Sequence, residues 1–90
     1  MKEDRRREAV FSTAFLRDLE FWTKANQRTA LKVLRLVSAV VRDPFDGLGK
    51  PEPLRHSLAG MWSRRIDKEN RLVYQVADER VRFFAARYHY

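Results

Sequence analysis

Apolar residues in the first half of the chain recur at intervals of three and four, the spacing of one face of an α-helix. Phe15, Leu19 and Trp22 form the first such stripe. A hydroxyl side chain just before it, at Ser12 or Thr13, can accept hydrogen bonds from the free amides of a first helical turn. The pattern therefore predicts a helix that starts after one of these two residues and ends near Ala25.

A second apolar stripe follows almost at once. Asn26 is a good residue to cap it, and Pro44 disfavours helical geometry at the residue that precedes it, so the second helix is predicted to end at Asp43. The join between the two helices is short, which favours an antiparallel hairpin. The face of the second helix predicted to be buried comprises Ala30, Val33, Leu34, Val37 and Val41.

Alternating patterns replace the helical spacing after residue 60. They predict three strands at 61–66, 71–77 and 80–88, joined by short turns that make them antiparallel neighbours. A short apolar run at 9–11 predicts an edge strand, and 46–53, which holds two glycines and two prolines, predicts a loop. The order of elements predicts an α+β fold, with a two-helix hairpin packed on one face of a small, mainly antiparallel, twisted sheet.

The domain organisation follows from the length. Ninety residues are enough for one small domain, so 1–90 is predicted to be a single unit. Residues 1–8 are strongly charged and are predicted to be a flexible basic extension.

Side-chain alternation predicts a positively charged sheet face. If the apolar sets, which include Trp62 and Tyr88, face the helices, four basic residues share the open face. A solvated face usually mixes charges of both signs, whereas this one is nearly all positive, so an anion-binding face is favoured over a merely solvated one. The four residues are Arg65, Arg71, Arg87 and His89.

Composition supports an anionic partner. Lys and Arg number 19 against 12 Asp and Glu, the net charge is +7, and the isoelectric point is about 10.4. Such a field attracts nucleic acid first and an acidic protein second. Without cysteine, the chain has no thiolate nucleophile and no disulfide. His56 and His89 are the two histidines, and no HxxxH or HExxH spacing exists, so no metal site is predicted.

Cofactors and membranes are not predicted either. The Gly47–Lys50 piece lacks the GxxxxGK[ST] spacing of a phosphate loop, which argues against nucleotide binding. The charged start has no apolar region behind it, and no apolar run is long enough to cross a bilayer. These features predict a cytosolic protein with no cofactor and no membrane partner.

Four motifs carry a family resemblance: KPEPL at 50–54, WSRRI at 62–66, RLVY at 71–74 and a terminal RYHY at 87–90. Together they resemble the YoeB toxins, which belong to the RelE/ParE superfamily of type II toxin–antitoxin systems. The match extends without gaps from about Phe11 to Tyr90. The resemblance implies a RelE-like fold and a metal-independent, ribosome-dependent endoribonuclease (an mRNA interferase) of the bacterial cytoplasm. Its implied partners are mRNA on the ribosome, with ribosomal RNA contacts, a YefM-like antitoxin and a second copy of the chain.

The resemblance also assigns roles to residues. The proposed catalytic base of the family falls on Glu52, its phosphate-stabilising arginine on Arg71 and its acid on His89. Further phosphate and substrate contacts are predicted at Lys50, Arg55, Arg65, Arg87 and Tyr90. Two positions depart from the best-known member: Arg55 replaces a lysine, whose charge it keeps, and Asn70 replaces a histidine, which alters local hydrogen bonding.

Two other functions remain open, the first from the residues and the second from the resemblance. A non-catalytic RNA- or protein-binding module would need the same basic face but would not need Glu52 and His89 together. The gyrase-directed ParE branch shares the scaffold, but it does not combine a KPEP motif with a terminal RYHY.

Overall fold

The computed structural model describes residues 6–55 and 60–88. The elements, in chain order, are β1 (Glu8–Phe11), α1 (Thr13–Ala25), α2 (Gln27–Arg42), β2 (Glu52–Pro53), β3 (Met61–Arg65), β4 (Arg71–Val76) and β5 (Arg80–Ala85). No helix in these ranges combines the length and the apolar character that a membrane crossing needs.

Both helices begin at the predicted caps. The Ser12 hydroxyl accepts a hydrogen bond from the Phe15 N–H at 3.0 Å, and the Asn26 side chain accepts one from the Thr29 N–H at 3.2 Å. Each bond satisfies an amide that has no partner inside its own helix. Helix α2 ends before Asp43, as Pro44 requires. The predicted limits of the two helices are therefore confirmed.

The sheet has five strands in the order β1-β5-β4-β3-β2. Strand β1 runs parallel to β5, and all other pairs are antiparallel. The edge strand predicted at 9–11 is confirmed as β1. Strand β2 corrects the predicted loop at 46–53, because Glu52 and Pro53 pair with Ser63 and Trp62 of β3. Pro53 has no N–H to donate, and an edge strand is where a sheet tolerates that loss.

Two helices packed on a mixed five-stranded sheet confirm the predicted α+β class. Phe15 of α1 and Leu36 of α2 enclose a core with Tyr74 and Phe83 of the sheet, and all four are almost completely buried. The α2 stripe differs from the prediction at Leu34, which is 47% exposed. The buried stripe is instead Ala30, Val33, Leu36, Val37 and Val40, because the face of α2 that meets the sheet is rotated away from Leu34.

A β-bulge in β5 overturns part of the predicted alternation. Tyr74 pairs with Phe83 and Val73 pairs with Ala85, so Phe84 is an extra residue without a partner in the ladder. The bulge shifts the side-chain phase by one residue. Phe83 therefore faces the core together with Ala86, whereas strict alternation with Ala86 would place Phe84 there.

The two ends of the described chain also correct predictions. Glu8 was placed in the basic extension, but it belongs to β1, because its N–H donates to the Glu79 carbonyl at 2.9 Å. Tyr88 was predicted to face the core, but strand β5 ends at Ala85 and the Tyr88 side chain is 60% exposed.

Candidate phosphate-binding site

The centre of the candidate site is an ion pair between β2 and β4. Arg71 Nη1 donates to Glu52 Oε2 at 3.2 Å and also lies 3.4 Å from the Ser63 hydroxyl oxygen. Arg71 is mostly buried, with 20% of its side chain exposed, whereas Glu52 is 57% exposed. The Arg71 side chain thus lies against the sheet, and the Glu52 carboxylate beside it is accessible to a ligand.

Small side chains form the floor of this site. Glu52 pairs with Ser63, Ser63 with Val73, and Val73 with Ala85, so the four residues make one row across four strands. Ser63, Val73 and Ala85 are all buried and short. The row leaves space above the sheet for the longer side chains of Glu52 and Arg71.

Other predicted cations surround the pair. Arg65 is the direct cross-strand partner of Arg71 and is exposed, which confirms that β3 and β4 bring two arginines together. Lys50 and Arg55 are also exposed and flank β2 on either side. Like charges placed directly opposite destabilise a sheet, so the Arg65–Arg71 pairing favours an anionic ligand at this position.

The backbone around Glu52 is restricted. Glu52 lies between Pro51 and Pro53, whose rings fix their own φ angles. Lys50 has a φ of +52°, and the Gly49 carbonyl before it accepts the Arg65 N–H at 2.6 Å. Gly49 itself has a φ of +88°, and an added Cβ would lie only 2.9 Å from Leu36 Cδ2, so glycine is required there. These constraints position a glutamate that would otherwise sit on a free loop.

A buried arginine, Arg64, holds the loop that leads to the site. Its side chain has no exposed surface and fills a place among the core residues. Nη1 donates at 2.9 Å and Nη2 at 3.0 Å to two loop carbonyls, and Nη2 also donates to a third. The three accepting carbonyls are those of Leu48, Asp46 and Asp43. Alternation along the sequence places Arg64 on the same strand face as Trp62 and Ile66. This shared apolar face is the sequence signal that the Arg64 side chain is buried.

Tyr74 completes this buried network. Arg64 Nε donates to the Tyr74 hydroxyl oxygen at 3.1 Å, and that hydroxyl donates to the Pro44 carbonyl at 2.8 Å. Burial raises the pKa of Tyr74, while the hydrogen bond and the charge of Arg64 act against the rise. The hydroxyl therefore stays protonated and remains a donor to the loop.

Arg87 is placed differently from the prediction. Its guanidinium lies over the ring of Phe21 on α1, 3.5 Å from the ring centroid, and 4.8 Å from the centroid of Tyr88. These stacking contacts draw Arg87 towards α1 instead of leaving it on the open face beside Arg65. The early end of β5 accounts for the change, because regular alternation stops before Arg87.

The turn before Arg71 is held by Asp67. Its carboxylate accepts hydrogen bonds from the N–H groups of Glu69 and Asn70 and from the Asn70 side chain, at 2.8–3.1 Å. Burial raises the pKa of Asp67, but these hydrogen bonds and the charge of Lys32 outweigh it and bring the pKa below its ordinary value of 3.8. Arg71 itself forms its ion pair with Glu52 of β2.

Acid is therefore expected to weaken the fold partly through Asp67. The pKa of Asp67 is lower in the folded protein than in the unfolded protein, so the ionised carboxylate stabilises the fold above pH 3.8. This stabilisation is lost as the pH falls through the pKa that Asp67 has in the folded protein. Asp67→Asn removes this titration and is expected to lose less stability between pH 5.5 and pH 2.5 than the unchanged protein. Urea unfolding midpoints at the two pH values measure the loss, and equal losses would contradict the expectation.

Two predicted site residues, His89 and Tyr90, lie outside the described ranges. Within 6–55 and 60–88, no group of three or more His, Cys, Asp or Glu side chains is arranged to hold a metal ion.

Solved structures place the fold among known toxins. A YoeB/ParE toxin from Agrobacterium tumefaciens superposes with a TM-score of 0.86 at 41% identity, covering 92% of this chain and 99% of that one. A YoeB dimer from Staphylococcus aureus gives 0.85 at 34% identity, and a YoeB–YefM complex from the same organism gives 0.80 at 35%. Each covers 94% of this chain and 99% of the other. The fold and its cationic site thus define a small toxin of the RelE-like class.

Sequence comparison specifies the family. Residues 11–90 match the model of the YoeB-like toxin of bacterial type II toxin–antitoxin systems. The toxin RelK of Mycobacterium tuberculosis is 53% identical over 73 residues, which cover 81% of this chain and 86% of that protein. The chain belongs to the YoeB-like toxin family, as its motifs predicted.

Proposed function

We propose that this toxin is an endoribonuclease that cuts mRNA in the decoding site of the ribosome and so inhibits translation. The observation that carries the proposal is the contact between Arg71 and Glu52, made at 3.2 Å on a face lined by further cations. A carboxylate that can accept a proton is thereby fixed next to a guanidinium that can hold a phosphate.

The proposed reaction uses the nucleophile that RNA itself supplies. Glu52 takes the proton of the 2′-hydroxyl, and the 2′-oxygen forms a bond to the adjacent phosphorus. The bond from phosphorus to the 5′-oxygen breaks, and His89 gives a proton to that leaving oxygen. The products are a 2′,3′-cyclic phosphate and a free 5′-hydroxyl. Glu52 accepts one proton and His89 gives one, so the proton transfers balance. No metal takes part in the proposed reaction.

The arginines have an electrostatic role in this scheme. Negative charge grows on the phosphate oxygens as the 2′-oxygen attacks, and fixed donors aimed at that charge lower the barrier. Both hydrogen bonds that the Arg71 side chain makes with described residues use Nη1, and Nη2 is proposed as the donor for phosphate. Arg65, directly opposite on β3, is the second proposed stabiliser.

The remaining cations are proposed to bind RNA backbone. Lys50 and Arg55 are exposed on either side of Glu52, and the net charge of +7 favours any nearby polyanion. We assign them, with Arg87 and Tyr90, to contacts with mRNA and ribosomal RNA. Because the substrate is mRNA on a ribosome, the proposed site of action is the bacterial cytoplasm.

Two protein partners are proposed from the relatives. The Staphylococcus aureus toxin was solved with YefM and also as a dimer, and this chain shares its fold over 94% of its length. A YefM-like antitoxin and a second copy of this chain are therefore the proposed partners. An acidic antitoxin segment would suit the basic face that the RNA is proposed to use.

A cleavage map on programmed ribosomes tests the proposal. The purified protein and its His89→Ala variant are each added to ribosomes that carry a defined mRNA, and RNA ends are located by primer extension. We expect one sharp cut in the decoding site with the unchanged protein and a strongly weakened cut with the variant. Naked RNA serves as the control and should remain uncut.

The other outcomes separate the alternatives. A cut on naked RNA would support the proposed reaction but would show that the ribosome is not required. Intact ribosome or RNA binding without any cut would favour the non-catalytic binding module. Loss of ribosome binding in His89→Ala would indicate a structural role for His89 instead of proton donation.

A further inference from the structure

The β-bulge turns two consecutive residues of β5 towards the open face of the sheet, the face opposite the helices. Phe83 and Ala86 both belong to the core cluster, whereas Ala85 lies outside it. Because two residues of a bulged strand oppose one residue of its partner, Phe84 and Ala85 together face Val73. Both lie between the two core positions and point away from the helices. The Phe84 side chain therefore lies on the same face as the candidate site.

The core does not use the Phe84 ring. Phe84 is half-buried, but it does not pack against the core cluster. Within 6–55 and 60–88, no other aromatic ring and no guanidinium stacks on it. Its backbone is fixed, because its carbonyl accepts a hydrogen bond from the Ser12 hydroxyl at 3.2 Å. The ring is thus held on a fixed strand with part of its surface accessible to a ligand.

Arg82 is the neighbouring side chain of β5 on this face. Val81 and Phe83 on either side of it are buried in the core, so Arg82 points to the open face, where it is exposed. Its cross-strand partners are Val10 and Gln75, and neither is acidic. Among the described residues, no carboxylate lies within ion-pair distance of Arg82. The charge of Arg82 is therefore available to an anionic ligand.

Arg71, Phe84 and Arg82 follow one another across the open face. Gln75, the partner of Arg82, is four residues beyond Arg71 on β4, which is roughly 14 Å at about 3.4 Å per residue. Phe84 faces Val73, at about half that distance from Arg71. Successive phosphates of one strand lie about 3.4 Å apart along a nucleic-acid helix, so the two arginines are placed for different phosphates. The order along the face is cation, aromatic ring, cation.

We propose that Phe84 and Arg82 form a subsite for single-stranded RNA beside the phosphate that is cut. Phe84 stacks on a base, and Arg82 binds a backbone phosphate of a neighbouring nucleotide. The subsite rests on the proposed function, in which an RNA strand places its reacting phosphate at Arg71. Proteins hold single strands with this combination of cations and aromatic rings, because every base has a flat face and every nucleotide a charge. A purely acidic protein segment would bind Arg82 but would not need an aromatic ring beside it.

Binding of a fluorescent single-stranded RNA tests the subsite without catalysis. All proteins in this experiment carry Glu52→Gln, so that the probe stays intact, and fluorescence anisotropy gives the affinity over a range of salt concentrations. Phe84→Leu, which keeps apolar bulk but removes the aromatic ring, is expected to weaken binding by about 5-fold or more. Arg82→Gln is expected to weaken binding and to reduce the slope of log affinity against log salt by about 0.7, the value for one phosphate contact on a single strand.

Arg80→Gln is the matched control for charge. Arg80 lies on the same face of β5, but its guanidinium pairs with Glu8 at the β1 edge of the sheet. Its replacement is expected to leave RNA affinity within about twofold of the parent. Phe84→Tyr, which keeps an aromatic face, is expected to recover most of the affinity lost in Phe84→Leu. If circular dichroism shows that Phe84→Leu does not fold, Phe84→Met replaces it with the same expectation.

Cleavage on programmed ribosomes separates this subsite from the proposed function. With Glu52 intact, Phe84→Leu and Arg82→Gln are expected to need more protein for half of the maximal single-turnover rate, while the maximal rate changes little. If the unchanged protein does not cut, the proposed function fails, while the RNA affinities still decide the subsite. Unchanged RNA affinity in Phe84→Leu, or an unchanged salt slope in Arg82→Gln, would overturn the subsite. Weaker binding confined to a poly-glutamate peptide would also overturn it and would assign this face to an acidic protein.

Discussion

Arg64→Ala is expected to destabilise the protein by about 3 kcal/mol or more, because several buried acceptors lose their donor together. In a domain of this size, each kcal/mol corresponds to roughly 4–8 °C in melting temperature, so the melting point should fall by roughly 12 °C or more. Thermal unfolding followed by circular dichroism measures the change.

The size of this effect comes from the environment of Arg64. Its guanidinium is completely buried and donates to three loop carbonyls and to the Tyr74 hydroxyl. Alanine leaves those oxygens without their donor and opens a cavity where the buried Arg64 side chain lay. The loop that leads to Lys50 and Glu52 then loses its attachment to the core, so activity should fall with stability.

Arg65→Ala is the matched control for stability. Arg65 is the next residue of β3, but its side chain is exposed and lies on the other face of the sheet. Its replacement is expected to change the free energy of unfolding by no more than about 0.5 kcal/mol. Arg64→Lys should be intermediate, because an ammonium group keeps the charge but cannot present donors in the planar arrangement of a guanidinium. Equal melting points for Arg64→Ala and Arg65→Ala would contradict the structural role of Arg64.

Arg71→Ala is expected to lower the rate of mRNA cleavage on the ribosome by about 10²–10³-fold, the usual effect of removing one fixed donor from a developing oxyanion. Glu52→Gln is expected to lower it by about 10²–10⁴-fold, because the amide can still contact Arg71 but cannot take the 2′-hydroxyl proton. Both rates are measured in a single turnover by primer extension.

Measurements of RNA binding make the Glu52→Gln result decisive. Glu52→Gln removes a negative charge from a cationic face, so RNA affinity should stay the same or increase while cleavage is lost. Arg80→Ala is the control, since Arg80 is an exposed arginine whose partner is Glu8, at the far edge of the sheet from β2. Cleavage by Arg80→Ala should remain within about twofold of the unchanged rate. If the Glu52→Gln protein still cuts at the full rate, Glu52 is not the base.

The site could be predicted only in part from the residues. The pairing of Arg65 with Arg71 follows from two strands joined by a short turn, since the residues on either side of such a turn become neighbours. The contact of Glu52 with Arg71 does not follow in this way, because β2 is two residues long and pairs with β3 across a loop. Nothing in the local sequence of Ser63 indicates that it lies beside Arg71.

The sequence by itself determined the elements and the charge. Caps at Ser12 and Asn26, the stop before Pro44 and the alternation in β3 and β4 are local effects, which depend on a few neighbouring residues and so can be found in the chain. The excess of basic residues likewise needs no structure to predict an anionic partner.

The tertiary structure alone decided where several residues face. The bulge at Phe84 reverses the faces of the β5 residues before it, and it depends on the fit between β4 and β5 instead of on local preference. The hydrogen bonds of Arg64 to the loop and the stacking of Arg87 on Phe21 join parts of the chain that are distant in sequence. Contacts of this kind reflect how the helices and the sheet share one small core, and no short stretch of sequence contains that information.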